Sequence, residues 1–157
     1  IIYPKRKSKG KISTCRKIKL FITDPFIFHS IMFKDSLNPF DDSKRMLNDP
    51  AKTGILVEHI VCAHFLRLPK PTPYYHLQVK RRTIREIDCI LHYNRKYIPI
   101  EVKFIDDQRK IIREVKGIIE SLKLLGINSR PILISKDTFI IEKDYAIIPA
   151  HIFLLLF

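Results

Sequence analysis

Acidic residues are scarce in this chain. Its 16 Asp and Glu residues stand against 29 Lys and Arg residues, which gives a formal net charge of +13 at pH 7. An excess of this size favours a polyanionic partner such as nucleic acid, or else an acidic protein or membrane surface. A lysine-rich surface of the kind found in thermophile proteins is the alternative explanation. The charge therefore bears on partners and not on the fold.

Cysteine is scarce as well, and long apolar runs are missing. The three cysteines, Cys15, Cys62 and Cys89, show no CxxC spacing, which argues against a disulfide framework or a zinc site. Cys62 and Cys89 lie in apolar runs and are expected to be small buried hydrophobic residues. No apolar run reaches the roughly 18 residues of a membrane span, and no signal peptide is recognisable. We therefore expect a cytoplasmic protein without a membrane partner.

Several catalytic signatures are also absent. The 157 residues contain no Walker P-loop motif, so no ATP site is expected in them. There is no HExxH motif, and His59 and His64 are five residues apart, which is a poor spacing for one face of a helix. No Ser-His-Asp arrangement can be recognised.

The chain begins with Ile rather than Met, so we expect it to be part of a longer protein.

The length and the 46% hydrophobic content predict a globular protein with a real core. Residues 1–48 are expected to be a basic N-terminal segment with a short strand and helix, the remnant of a larger upstream region. Residues 49–157 are expected to form an α/β domain. The basic run at 4–19 is either a solvated arm or a phosphate-binding arm. Asp24 and Pro25 predict the start of a helix, whereas "KDSLNPFDDSKRMLNDP" is expected to be a connector.

The stretch "AKTGILVEHIVCAHFLRL" predicts a helix that is buried on most sides. Glu58 is its exception, because its helical neighbours are apolar or small; they are Gly54, Val61, Cys62 and Phe65. A buried carboxylate needs a partner, a metal ion or a raised pKa. The alternative is that Glu58 lies at the helix edge and pairs with a Lys or Arg.

A second helix is predicted by "DDQRKIIREVKGIIESLKLLG". Its apolar residues recur with helical spacing at Ile111, Ile112, Val115, Ile118, Ile119, Leu122 and Leu125. Its polar face carries Arg109, Lys110, Arg113, Lys116 and Lys123. Asp106 or Asp107 can cap its start, and Gly126 can end it.

Strands are expected near Tyr74 and in "RPILIS" and "YAIIPAHIFLLLF". With the two helices they predict an α/β (α+β) fold in which a mixed β-sheet is flanked by helices.

The segment 86–104, "EIDCILHYNRKYIPIEVKF", predicts a β-hairpin that carries charges inside its strands. With the turn at Asn94-Arg95, Asp88 opposes Glu101 and Glu86 opposes Lys103, with directly opposed Cβ atoms about 4.5–5.5 Å apart. Alternation then places Asp88, Glu101 and Lys103 on one face. The other face is expected to hold Ile87, Cys89, Leu91, Ile100, Val102 and Phe104.

Two carboxylates at this distance repel each other unless a proton or a cation lies between them. Their oxygen atoms suit Mg²⁺ or Mn²⁺. Lys103 beside them could orient a water molecule and stabilise developing charge, which is a chemistry suited to phosphodiester hydrolysis. The ordinary alternative is a solvent-exposed hairpin face on which Asp88 pairs with Arg85 or Lys103.

Asp88 followed by "IEVK", with Glu101 and Lys103, resembles the PD-(D/E)XK nuclease superfamily, although Ile87 stands where the motif has proline. The resemblance implies a restriction-endonuclease-like core. It also implies that Asp88, Glu101 and a preceding helical Glu, here Glu58, bind Mg²⁺ or Mn²⁺, and that Lys103 assists the attacking water. Gln108 is either a further site residue or the start of the helix, and we favour the latter.

A wider resemblance is carried by "KLFITDPFIFHSI", "GILVEHIVCAHFLRL", "REIDCIL", "IPIEVKF" and "IIPAHIFLLLF". These segments resemble the C-terminal DUF4143 domain of archaeal and bacterial AAA-type ATPases, a region considered nuclease-like. The resemblance implies a DNA substrate, an upstream ATPase module and a possible homodimer. The alternatives are an inactive nuclease-like module that binds DNA or regulates an ATPase, and a pure protein-interaction domain.

Overall fold

The computed structural model describes residues 2–4, 18–65, 72–80, 83–125 and 128–156. Most of the predicted basic run (residues 5–17, with Cys15) and the predicted helix end at Gly126 lie outside these residues. Within them the elements follow in the order β1 (Ile2–Pro4), β2 (Ile18–Leu20), α1 (Pro25–Met32), α2 (Pro39–Leu47), α3 (Pro50–His64), β3 (Thr72–Lys80), β4 (Thr83–Tyr93), β5 (Lys96–Val102), α4 (Gln108–Leu125), β6 (Ile132–Ser135), β7 (Ile140–Ile141), β8 (Ala146–Pro149) and α5 (Ala150–Leu155).

The first three helices begin in the same way. In each, an Asp or Asn side chain accepts a hydrogen bond from a backbone N–H of the first turn, and a proline follows it; the pairs are Asp24-Pro25, Asn38-Pro39 and Asp49-Pro50. The predicted start of α1 is confirmed. The expectation of a connector at 34–50 is wrong, because Pro39 starts α2 and Met46 on that helix is buried.

Six strands form one mixed sheet in the order β3-β4-β5-β6-β8-β7. Strands β3, β4 and β5 are antiparallel neighbours, β5, β6 and β8 run parallel, and β7 is antiparallel to β8. Strands β1 and β2 form a separate antiparallel pair. The predicted mixed sheet flanked by helices is confirmed.

Helix α4 covers one face of the sheet. The buried stripe predicted from its spacing is seen, since Ile111, Val115 and Leu122 pack with Ile90 and Leu133 of the sheet. The helix begins as expected, because the side chain of Asp107 accepts the N–H groups of Arg109 and Lys110. None of the described helices combines the length and the apolar character that crossing a membrane requires.

Helices α3 and α5 cover the other face. Val61, Phe65 and Phe153 pack with Cys89 and Ile100 there, and all five side chains are buried. The expectation that "YAIIPAHIFLLLF" is a strand holds only for β8. Pro149 ends that strand, since proline offers no N–H to a ladder, and α5 then turns its apolar residues into the core.

The hairpin of β4 and β5 has the predicted turn and register. Asn94 and Arg95 adopt positive φ angles of 47° and 63°, as in the tight turns that suit the twist of a hairpin. The ladder runs from the pair Tyr93–Lys96 to the pair Cys89–Ile100.

A bulge interrupts the pairing of β4 with its other neighbour, β3. Tyr74 pairs with Ile90 and His76 pairs with Ile87, so only one residue of β3 faces Asp88 and Cys89. A bulge of this kind reverses the alternation of side chains along the strand. Ile87 therefore packs in the same buried cluster as Ile90, and the prediction that it shares a face with Cys89 is wrong.

Phe21 attaches the N-terminal segment to this core, because its side chain is only 2% exposed and packs in the cluster beneath α3. We predict that Phe21→Ala lowers the free energy of unfolding by about 3–5 kcal/mol, measured by urea denaturation. Phe26→Ala is the matched control, since Phe26 is 78% exposed and its loss should change stability by less than about 0.5 kcal/mol. Similar small losses in both variants would contradict this packing.

Candidate functional site

Two carboxylates end the ladder between β4 and β5. Beyond the last pair, the N–H of Asp88 donates to Oε2 of Glu101 at 3.2 Å, and the N–H of Val102 donates to Oδ2 of Asp88 at 2.9 Å. Each carboxylate thus binds a backbone group of the opposite strand, in place of a ladder bond. The N–H of Lys103 turns to β6, where it donates to the carbonyl of Ile134 at 2.8 Å.

The predicted opposition of Asp88 and Glu101 is therefore seen as side-chain bonds rather than as a ladder pair. The predicted pair of Glu86 and Lys103 lies past the end of the ladder in the described part of the chain, since that ladder ends at Cys89 and Ile100. The N–H of Val102, the next one directed at β4, is bound by the carboxylate of Asp88 and not by a carbonyl of β4.

Both carboxylates are buried, and each has a lysine as counter-ion. Asp88 is 6% and Glu101 is 5% exposed, so an unpaired charge on either would be costly. Lys103 Nζ lies 2.7 Å from Glu101 Oε1, and Lys19 Nζ lies 2.9 Å from Asp88 Oδ1. The hairpin face is thus a buried ionic cluster and not a solvated edge.

Glu58 joins the cluster from α3 through the same lysine. Lys19 Nζ lies 2.6 Å from Glu58 Oε1, so one ammonium group contacts carboxylates from a helix and from a strand. Of the sequence-predicted site residues, the structure brings both Asp88 and Lys103 into contact with Glu101. Glu58 is connected to Asp88 by way of Lys19, which agrees with the alternative that Glu58 pairs with a basic residue.

Lys19 is the site residue that sequence reasoning missed, because it was assigned to a solvated or phosphate-binding arm. It lies on β2 between Ile18 and Leu20, and the buried Phe21 follows. A lysine among apolar neighbours is a weak sign that its head group is paired. Its partner Asp88, however, is 69 positions away, a distance that local patterns do not bridge.

The segment that carries Lys19 is fixed to α3. The N–H of Ile22 donates to Nδ1 of His59 at 2.8 Å, and the His59 ring packs edge-on against Phe21. Burial, with a smaller contribution from the positive charge of Lys19, lowers the pKa of His59. A neutral imidazole is what this contact needs, because its Nδ1 acts as the acceptor.

Burial also governs the ionisation of Glu101. The pKa of Glu101 is raised from 4.5 to about 8, first by burial and then by the charge of Asp88, while Lys103 and the N–H of Asp88 oppose the rise. Burial lowers the pKa of Lys103, but the charges of Glu101, Asp88 and Glu114 outweigh it and raise the pKa overall. Burial and the charge of Asp88 thus favour a proton on Glu101, and a bound cation could take the place of that proton.

The donor set fits a hard divalent cation. Mg²⁺ prefers oxygen ligands, keeps several water molecules and binds proteins through one or two carboxylates, which Asp88 and Glu101 supply. Glu58 could add a third oxygen ligand if its contact with Lys19 were released. As they stand, the described residues contain no group of three or more His, Cys, Asp or Glu side chains arranged to hold a metal ion.

Two buried thiols lie behind the carboxylates. Cys62 of α3 and Cys89 of β4 are both fully buried, and their side chains contact each other. Burial, followed by the contact with Cys89, raises the pKa of the Cys62 thiol. Both residues are therefore buried core residues, as the sequence predicts.

An open cleft of about 460 Å³ is lined in part by Phe104 and Ile105, which follow Lys103 in the chain. It lies between the start of α3, the β5–α4 loop and the residue after β6. Its lining includes Thr53, Phe104, Lys110 and Lys136. Gln108 is the first residue of α4, which agrees with the interpretation that it marks the start of the helix.

The raised pKa of Glu101 makes stability depend on pH in the absence of metal. Between pH 4.5 and 8 the folded protein retains a proton that the unfolded chain has released, so the free energy of unfolding falls as the pH rises through this window. We predict that Glu101→Gln removes this fall, measured as the difference between wild type and variant in urea denaturation with a chelator present. Glu142→Gln, at an exposed position, is the control. Parallel curves for wild type and Glu101→Gln would contradict the assignment.

The comparisons with known proteins give one match. A family model described as "Domain of unknown function (DUF4143)" matches residues 53–153, a range that includes Glu58, Asp88, Glu101 and Lys103 but not Lys19. No curated protein and no solved structure matches the chain. The matched range covers more than half of the chain, and the protein therefore belongs to the DUF4143 family.

Proposed function

We propose that this chain is a metal-dependent DNA phosphodiester hydrolase of the PD-(D/E)XK nuclease-like superfamily, with a restriction-endonuclease-like core. One observation carries the proposal. Asp88 and Glu101 are buried side by side where the hairpin ladder ends, each fixed by a backbone N–H of the opposite strand. Lys103, two residues after Glu101, places its ammonium 2.7 Å from Glu101.

In this proposal Asp88 and Glu101 hold Mg²⁺ or Mn²⁺, and Glu58 completes the site from α3. A divalent cation bound there would lower the pKa of a water molecule and stabilise negative charge on the scissile phosphate. Backbone N–H groups fix one oxygen atom of each carboxylate, so a cation would replace lysine contacts at the other oxygen atoms while the backbone stays in place.

Lys103 acts on the attacking water. Its raised pKa keeps the ammonium charged, so it can donate a hydrogen bond to that water and lie close to the charge that develops on the phosphate. Its side chain is 35% exposed, which leaves it partly accessible to solvent. Glu101 orients Lys103 by the ion pair between them.

DNA is the substrate that the charge distribution favours. The predicted polar residues of α4 are all exposed; they are Arg109, Lys110, Arg113, Lys116 and Lys123. Glu114 is close enough to Lys103 to influence its pKa, which places the first turns of α4 beside the site. This helix can therefore contact the phosphates that flank the one being cleaved.

The resemblance to the DUF4143 domains of AAA-type ATPases suggests the partners of this chain. A DUF4143 domain at the C-terminal end of an AAA-type ATPase would receive DNA from the ATPase module, in the cytoplasm. A homodimer would place two such sites on the two strands of a duplex. These partners are part of the proposal and rest on the resemblance.

A binding module that regulates an ATPase is the second candidate, and exposed apolar side chains favour it. Phe26 and Met32 of α1, Leu37 before α2 and Phe40 of α2 are all more than half exposed. Such a surface is typical of protein contacts. The carboxylate cluster would then have a structural role only.

Cleavage of DNA separates the two candidates. We predict that the wild type cleaves plasmid, single-stranded or branched DNA with Mg²⁺ or Mn²⁺, and that Asp88→Asn and Lys103→Met each lower the rate at least about 100-fold. Asp144→Asn, an exposed carboxylate between β7 and β8, is the matched control and should cleave like wild type. No cleavage by the wild type, with DNA binding intact, would favour the binding module.

DNA affinity should depend steeply on salt. Each phosphate contact contributes about 0.9 to the slope of log affinity against log salt, so Arg113→Ala with Lys116→Ala should lower the slope by up to about 1.8. Fluorescence anisotropy with a labelled duplex over a range of KCl concentrations measures it. The control is Lys34→Ala with Lys143→Ala, which removes the same charge elsewhere. Equal slopes in all three proteins would exclude α4 as the contact surface.

A further inference from the structure

Lys19 lies where two of the proposed metal ligands meet. Its Nζ is 2.6 Å from Glu58 Oε1 and 2.9 Å from Asp88 Oδ1, so a single positive centre joins carboxylates from α3 and β4. A divalent cation shared by these two carboxylates would need the same space. The lysine side chain is 21% exposed, so the contact is largely shielded from water.

We propose that Lys19 is an intramolecular competitor for the cation, which occupies the position between Glu58 and Asp88 until a divalent ion displaces it. This inference rests on the proposed metal site and goes beyond it. It assigns control of cation affinity to a residue outside the range that the DUF4143 model matches.

The backbone around Lys19 is anchored by contacts that do not involve its ammonium group. Phe21 is buried in the core, and the N–H of Ile22 is bound to His59, the neighbour of Glu58 on α3. These contacts hold the Cα of Lys19 near the site. The four-carbon side chain can still rotate, so the ammonium can leave without unfolding β2.

The charges explain why such a competitor is effective and yet displaceable. Loss of Lys19 would remove the counter-ion that Glu58 and Asp88 share in a largely shielded place, which is costly. The single charge of an ammonium compensates only one of the two carboxylates. A divalent ion compensates both and also accepts their oxygen atoms as ligands, which an ammonium cannot do.

The first experiment compares Mn²⁺ binding by wild type, Lys19→Met and Lys34→Met, using isothermal titration calorimetry and the electron paramagnetic resonance signal of free Mn²⁺. Methionine keeps the apolar length of the side chain and removes its charge. Lys34→Met is the matched control, because Lys34 is 73% exposed and its removal changes the net charge equally. We expect Lys19→Met to bind Mn²⁺ at least tenfold more tightly than wild type, and Lys34→Met to bind like wild type.

Thermal unfolding of the same proteins gives a second readout. Metal-free Lys19→Met should melt at a lower temperature than wild type, because Glu58 and Asp88 then repel each other. Mn²⁺ should raise the melting temperature of this variant more than that of wild type. A purely structural lysine would give the first effect without the second.

A measurement on the wild type covers the case in which Lys19→Met does not fold without metal. Acetylation of lysine side chains with and without Mn²⁺, read by peptide mass spectrometry, reports whether the Lys19 ammonium becomes accessible. We expect Mn²⁺ to increase labelling of Lys19 severalfold and to leave labelling of Lys34 unchanged.

The outcomes separate this inference from the proposed function. Mn²⁺ bound to the wild type, but no more tightly to Lys19→Met and with unchanged Lys19 labelling, would overturn the competitor role and leave the metal site standing. No Mn²⁺ binding to either protein would overturn both. Tighter binding by Lys19→Met and Lys34→Met alike would show a general effect of charge and would also overturn the role of Lys19.

Discussion

The burial of two carboxylates at the end of one hairpin is the constraint on which the rest of the structure depends. Asp88 and Glu101 are more than nine-tenths shielded from water, and each would be costly there without hydrogen bonds and a cation. Backbone N–H groups of the opposite strand and two lysines meet that need. Three features of the structure meet at these carboxylates. They are the bulge at Asp88, the end of the β4–β5 ladder and the contact of Lys19 with Asp88.

The same arrangement connects the fold to the proposed chemistry. The sheet supplies a rigid support in which β4 and β5 present the carboxylates, α3 presents Glu58, and α4 carries exposed basic residues beside the site. Charges held this firmly need little reorganisation during a reaction, which is what electrostatic catalysis requires. Lys19, which lies outside the range matched by the DUF4143 model, contacts the carboxylates of both Glu58 and Asp88. The carboxylate cluster therefore contains its own counter-ion at the place where the proposed metal ion would bind.

Features that depend on local chemistry could be predicted from the sequence, whereas features that depend on distant contacts could not. The turn at Asn94-Arg95 fixes the hairpin register, and helical spacing identifies the buried face of α4, so both predictions are confirmed. The side of the sheet to which Ile87 points depends on a bulge against β3, which alternation alone does not reveal. The contact of Lys19 with Asp88 joins elements far apart in sequence. Helix α2 was missed for another reason, since Pro39 was interpreted as a breaker although it begins the helix.

The most direct test of the central claim is the position of Mn²⁺ in crystals of the protein, located by its anomalous scattering. The account predicts one strong peak about 2–2.3 Å from carboxylate oxygens of both Asp88 and Glu101, with the ammonium of Lys19 moved away from Asp88. A peak at some other place, or no peak while both lysines keep the contacts described above, would contradict the claim that this cluster is a metal site.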